Sequence, residues 1–126
     1  MTLGPRAAAL QAKLDAKPGA ASGAVSAPRG REPLALIYKV GGKTFAILGA
    51  RADAFVILKC DPHLIEMLKQ QYAGVGHRSH LDRRHWISVS LDADVPAAEV
   101  ERLVDGSYDL VRASLTRKQQ AALAGA

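Results

Sequence analysis

The sequence predicts an α+β domain built as α-β(3)-α-β(2)-α, with a mainly antiparallel five-stranded sheet. Three observations carry this. Gly41-Gly42 separates two apolar runs, Leu34 to Val40 and Lys43 to Gly49, which is a hairpin signal. Asp61-Pro62 places a side-chain cap before a proline at the first helical position. Val100, Leu103, Val104, Ser107, Tyr108, Val111 and Leu115 recur at helical spacing near the C-terminus.

Taken in order, residues 5–16 are expected to be helical. Pro5 suits a first helical position, alanine dominates, and Leu10 and Leu14 share a face; Lys17-Pro18-Gly19 ends the helix. Ala20 to Gly30 holds only small residues, proline and valine, and reads as a loop or linker. The expected organisation is an N-terminal helix and flexible Ala/Gly/Ser/Pro linker over residues 1–33, then an α+β domain over residues 34–126. A two-residue turn at Gly41-Gly42 sets Val40 opposite Lys43, Tyr38 opposite Phe45 and Leu36 opposite Ile47. The other face then pairs Lys39 with Thr44, Ile37 with Ala46 and Ala35 with Leu48, so both faces are apolar.

A turn over Gly49 to Asp53 leads to a third strand, Ala54 to Cys60. The helix after Asp61 carries Leu64, Ile65, Leu68 and Tyr72 as its apolar stripe, with Met67 at the edge and Gly74 as its end. Val75 to Leu81 reads either as irregular or as a short strand. Trp86 to Leu91 is a strand with Ile87, Val89 and Leu91 on one face. In the long helix that follows, Gly106 weakens the middle; Thr116 then caps a short final helix through Leu123.

The chain has 126 residues, 48% of them apolar, which fits one core. No apolar run reaches the roughly 20 residues that span a bilayer, and Met1 to Ala16 lacks the apolar stretch of a secretory signal. A lone cysteine, Cys60, forms no internal disulfide, so the expected setting is cytoplasmic and no membrane partner is expected. The net charge of +5 is unevenly spread. Residues 1–33 hold five basic and two acidic side chains, a net +3; the rest holds twelve and ten, a net +2. The expected folded part is therefore only mildly basic.

Most of the unusual chemistry lies in His77 to Trp86, with three of the four histidines, three arginines and the only tryptophan. A metal site is disfavoured. His77 and His80 differ by an odd number of residues, so an extended strand points them apart. His80, Asp82 and His85 could converge in a loop, but no further ligand stands nearby and the arginines repel a cation. Catalysis is disfavoured too. There is no nucleophile elbow, and Gly41-Gly42-Lys43-Thr44 lacks the first glycine of a phosphate loop and lies between strands. Cys60, in an apolar strand, reads as a buried, inert thiol. No enzymatic activity, cofactor, catalytic residue or metal ligand is expected.

Nucleic-acid binding has a coherent physical form. Lys39 and Lys43 belong to the tip of the first hairpin, Arg51 to the next turn, and Arg78, Arg83 and Arg84 to a basic turn before His85 and Trp86. Such basic tips can straddle a phosphate backbone while Trp86 or His85 stacks on a base.

An ordered series of motifs resembles the MmcQ/YjbR family of small bacterial proteins. Lys39-Val40-Gly41-Gly42-Lys43-Thr44-Phe45-Ala46 resembles the family's first hairpin, and Ile57-Leu58-Lys59-Cys60-Asp61-Pro62 its strand-to-helix junction, with Tyr72 near that helix's end. His85-Trp86-Ile87-Ser88-Val89, Ser107-Tyr108-Asp109-Leu110-Val111 and Leu115-Thr116-Arg117-Lys118 resemble its later strand, C-terminal helix and tail. The resemblance implies the α-β(3)-α-β(2)-α fold shared with type III secretion chaperones, and a DNA-binding protein with a double-wing motif. The rival expectation is a protein partner or homodimer held on a sheet face that the helices leave uncovered.

Overall fold

The computed structural model describes residues 5–25, 35–49, 54–77 and 81–124. The elements are α1 (Pro5–Asp15), β1 (Ala20–Val25), β2 (Ala35–Val40), β3 (Lys43–Gly49), β4 (Phe55–Lys59), α2 (Pro62–Gln71), β5 (Val75–Gly76), β6 (Trp86–Ser90), α3 (Ala97–Ala113) and α4 (Arg117–Ala124). The strands form one six-stranded sheet in the order β1-β2-β3-β4-β6-β5, antiparallel at every pairing. The α+β class is as the sequence predicts, with one strand more.

That extra strand corrects the reading of Ala20 onward as a loop. Ala20–Val25 pairs with β2 along its whole length, from Ala20 opposite Val40 to Val25 opposite Ala35. Its alanines, serine and glycine carry little strand propensity of their own, and the pairing comes from the open edge of β2. Residues 26–34, the remainder of the expected linker and the start of the next strand, lie outside the described residues. Gly19, just before β1, has φ 73° and lies against the tip of the Leu123 side chain of α4. The left-handed backbone at that point favours glycine.

α1 docks on the same core. Ala7, Leu10 and Leu14 are buried, and the cations of this segment tie the helix down. The Arg6 guanidinium donates to the Leu91 carbonyl and, at 2.8 Å, to that of Val95. Lys13 and Lys17 both pair with Asp105 of α3, and chiefly the Lys17 bond holds that carboxyl below its usual range. Three charges that inflate the basicity of the N-terminal region thus have internal partners.

The β2–β3 turn forms as its glycines predict, with Gly41 at φ 57° and Gly42 at φ 80°. Positive φ at both central residues suits a two-residue hairpin turn. The expected register holds only for the first two pairs, Val40–Lys43 and Lys39–Thr44. A bulge then admits Phe45 as an extra residue, so Tyr38 faces Ala46, Ile37 faces Ile47 and Leu36 faces Leu48. The correction moves Ile47 off the helix side and puts the Phe45 ring beside Tyr38 and Tyr108, with centroids 6.2 and 5.4 Å away.

The bulge also ends the β3–β4 pairing at Ala46–Leu58. The fully buried Ser107 of α3 bridges the gap: its hydroxyl donates to the Phe45 carbonyl at 2.6 Å and accepts the Lys59 N–H at 2.8 Å. A helix side chain thus replaces a missing ladder bond.

The core lies between this side of the sheet and the helices, with Val40, Leu48, Val56, Leu58, Ile87 and Val89 meeting Leu14, Ile65, Leu68, Val104 and Val111. All seven residues expected on the buried side of the long helix are buried. Asp61 caps α2 by accepting the His63 N–H at 2.9 Å, with Pro62 at the first position, as the sequence predicts. The helix ends at Gln71, short of Gly74, and the Asp94 carboxylate accepts the N–H groups of Ala73 and Gly74, both at 2.8 Å. Thr116 caps α4 reciprocally with Gln119. Gly106 is exposed in mid-helix, and a Cβ there meets nothing within 4 Å. Gly106→Ala is therefore expected to raise stability by about 1 kcal/mol in urea unfolding; unchanged or lower stability would refute that.

Candidate nucleic-acid interface

Strand direction decides which basic residues meet. The β2–β3 turn, the end of β4 and the start of β6 lie at one end of the sheet, because the pairs Val40–Lys43 and Lys59–Trp86 both close that end. Gly76 leaves β5 toward the same end, since it pairs with Ser88 while Val75 pairs with Val89. Lys39, Lys43, Arg83, Arg84, His85 and Trp86 are thereby gathered there. Arg78 and Arg51 lie outside the described residues. The strand ends that flank Arg51, Gly49 and Phe55, are at the opposite end of the sheet.

Asp82 builds the basic turn. Its carboxylate accepts the Arg84 N–H at 2.9 Å and the His85 Nδ1–H at 2.8 Å, and its carbonyl accepts the N–H groups of His85 and Trp86. The two bonds to the carboxylate, the Arg84 one foremost, hold the Asp82 carboxyl below its usual range. The His85 carbonyl accepts the Cys60 N–H at 2.7 Å, which fastens the turn to the end of β4. Arg83 and Arg84 are left exposed, and among the described residues no carboxylate pairs with either.

Alternation along the strands fixes the faces. Val56, Leu58 and Ile87 belong to the core, so Ile57, Lys59, Trp86 and Ser88 point to the outer face, away from α3. There Lys39 and Thr44 are opposed on β2 and β3, and Lys59 and Trp86 on β4 and β6. Lys39 is exposed; Thr44, Lys59 and Trp86 are half-buried. Lys59 is absent from the candidate residues that the sequence singles out. Its signal was parity: as the only cation in an apolar strand, it sits out of phase with Val56 and Leu58.

Lys43 points elsewhere. Its ammonium donates to the Ser114 carbonyl at 3.1 Å and lies 3.3 Å from the Ser114 hydroxyl, at the C-terminal end of α3. A cation there complements the helix dipole.

The histidines have separate partners. His77 Nε2 donates to the Leu81 carbonyl at 2.6 Å, while His85 faces Asp82. Among the described residues, no three metal-ligating side chains converge. Burial, then the neighbouring Asp61 charge, pushes the Cys60 thiol up to about 11, so it is protonated at neutral pH.

A second feature lies on the helix side. A groove of about 490 Å³ runs between the start of α2 and the flank of α3, lined by Cys60, Leu64, Leu103, Gly106, Leu110 and Ala113 among others. Among the described residues, the exposed large apolar side chains are Leu64, Met67 and Leu110, and two of these line it. The leftover apolar surface expected on the sheet is therefore concentrated between helices. On the sheet's outer face Ile37 and Ile47 are half-buried and Ile57 is buried.

The architecture defines a class: a small α+β protein whose antiparallel sheet carries its helical core on one side. Comparison gives the family, because residues 15–110 match the YjbR family model. The chain belongs to the YjbR family. The Escherichia coli K12 protein YjbR is 43% identical over 53 residues, 42% of this chain and 45% of that protein. The chain thus matches less than half the length of that relative. YbdF of Escherichia coli O157:H7 is 31% identical over 85 residues, 67% of this chain and 70% of its own. Among solved structures, a Deinococcus radiodurans protein with a DUF419 domain superposes with a TM-score of 0.77 at 28% identity, covering 91% of this chain and 85% of that one. A Pseudomonas syringae protein gives a TM-score of 0.62 at 22% identity, over 80% and 97%, a likeness of fold alone. No helix among the described residues is long and apolar enough to cross a membrane.

Proposed function

We propose that this protein binds DNA through the basic end of its sheet, by contacts to the phosphate backbone. The observation that carries the reading is the Asp82 turn. It holds Arg83 and Arg84 exposed and, among the described residues, without a carboxylate partner, at the end of the sheet that also bears Lys39 and Lys59. Backbone contacts of this kind give strong salt dependence and little sequence preference. Fluorescence anisotropy with a labelled duplex, at low and moderate salt, tests it. Replacing Arg83 and Arg84 together by alanine is expected to weaken binding and to reduce the slope of log K against log salt by roughly 2. Absence of binding at micromolar protein to both the duplex and a labelled single strand, or indifference to the double substitution, sinks the proposal.

The groove between α2 and α3 supports a second reading, a protein-binding or dimeric module, through Leu64, Met67 and Leu110. Mass in solution separates the two. A tight dimer weakened by Leu64→Ser with Leu110→Ser favours the second, and a monomer with salt-sensitive DNA binding favours the first.

A further inference from the structure

We infer that the DNA taken by this end of the sheet is a single strand, laid across the outer face with one base stacked on Trp86. The inference rests on the DNA-binding reading above and gives it a substrate class.

A wing that enters a duplex groove must project as a free ribbon, since the major groove of ~12 Å admits two strands and not a sheet face. The β2–β3 tip is held back at three points. A Cβ on Gly41 would stand 2.7 Å from Leu115, so the turn lies directly on that side chain. Gln119 of α4 donates to the Gly41 carbonyl at 3.3 Å, and Lys43 reaches Ser114 at 3.1 Å. The tip is thus fastened to the α3–α4 junction, and one of its two lysines is occupied there.

The remaining basic side chains are disposed across a surface. Lys39, Lys59 and Trp86 lie on the outer face near the same end, on β2, β4 and β6, and the arginine turn continues the row. From β2 to β6 is three strand spacings, ~14 Å. Beside Lys39 lies a depression of about 270 Å³, lined by Ala21, Ser22, Gly23 and Ile37, where β1 offers no large side chain. Lysines in a row leading to a half-buried indole on a sheet match an unpaired strand, whose phosphates can follow the cations while a base face meets the ring. A duplex keeps its base faces stacked inside and can offer Trp86 none.

The chain has one tryptophan, so its emission reports this site alone. The test titrates the full chain with oligo(dT) of roughly 12 nucleotides and with a duplex of the same length. Single-strand binding is expected to quench the emission and to be at least about tenfold tighter than duplex binding. With four phosphates neutralised, by Lys39, Lys59, Arg83 and Arg84, affinity should fall roughly 50-fold between about 50 and 200 mM salt. By anisotropy, Trp86→Ala should lose about 5- to 150-fold and Trp86→Phe much less. Should Trp86→Ala not fold, Lys39→Gln with Lys59→Gln leaves the core untouched and must still weaken the single strand more than tenfold. Duplex binding as tight as single-strand binding, with unchanged emission, overturns the inference while DNA binding stands. If neither DNA binds, both fall.

Discussion

Phe45→Ala is expected to lower the free energy of unfolding by about 3–5 kcal/mol, measured by urea denaturation. The ring is fully buried and stands edge-on to two tyrosines, at interplanar angles of 60° to Tyr38 and 85° to Tyr108. Such edge contacts add about 0.5–1.5 kcal/mol beyond the burial of area. The three rings join the first hairpin to α3, so a cavity there separates the two parts that build the core. Relaxation is limited because the bulge fixes the backbone that carries Phe45. Phe45→Leu keeps most of the volume and should cost less than half as much. A loss below about 1.5 kcal/mol for the alanine variant would mean that the tyrosines close the space.

Ser107→Ala is expected to cost about 2–4 kcal/mol, although it deletes a single oxygen. That oxygen serves two backbone groups at once, the Phe45 carbonyl and the Lys59 N–H. Each buried polar group left without a partner costs about 1–3 kcal/mol. Native-state hydrogen exchange gives the second readout, since the Lys59 amide should lose protection selectively. A stability change under about 0.5 kcal/mol, with the Lys59 amide still protected, would show that water or a re-closed ladder substitutes for the hydroxyl. The Phe45 and Ser107 variants share the Phe45 carbonyl, and their effects should not add. The same bridge holds the backbone that presents Lys59 beside Trp86, so the proposed interface depends on an α3 side chain remote from its surface.

Much of the fold was legible locally. The turn glycines, the Asp61–Pro62 helix start and the periodic face of α3 each act through neighbouring residues, and each formed as its chemistry dictates. β1 was not legible, because alanine, serine and glycine carry no alternation; an available strand edge makes that segment a strand. The Phe45 bulge was equally hidden. Thr44-Phe45-Ala46-Ile47 contains no glycine or proline to mark an irregularity, and the break is compensated from Ser107, 62 residues away in sequence.

The candidate site divides in the same way. The composition of His77 to Trp86 already marked the basic turn and its tryptophan, and Asp82 orders the turn within four residues. Local chemistry sufficed there. The disposition of the other cations needed the tertiary structure. Arg6, Lys13 and Lys17 bind α1 to the rest of the core, Lys43 serves the end of α3, and Lys59 joins Trp86 on the outer face. A lysine's sequence neighbourhood does not specify which distant carbonyl or carboxylate will stand within hydrogen-bonding distance of its ammonium. By itself, then, the sequence determined the class of fold, its turns and caps, and the basic character of one loop, because these arise from contacts a few residues apart. Only the tertiary structure decided the register of the sheet and which charges remain available to a ligand, because both are set by partners that packing brings together from distant parts of the chain.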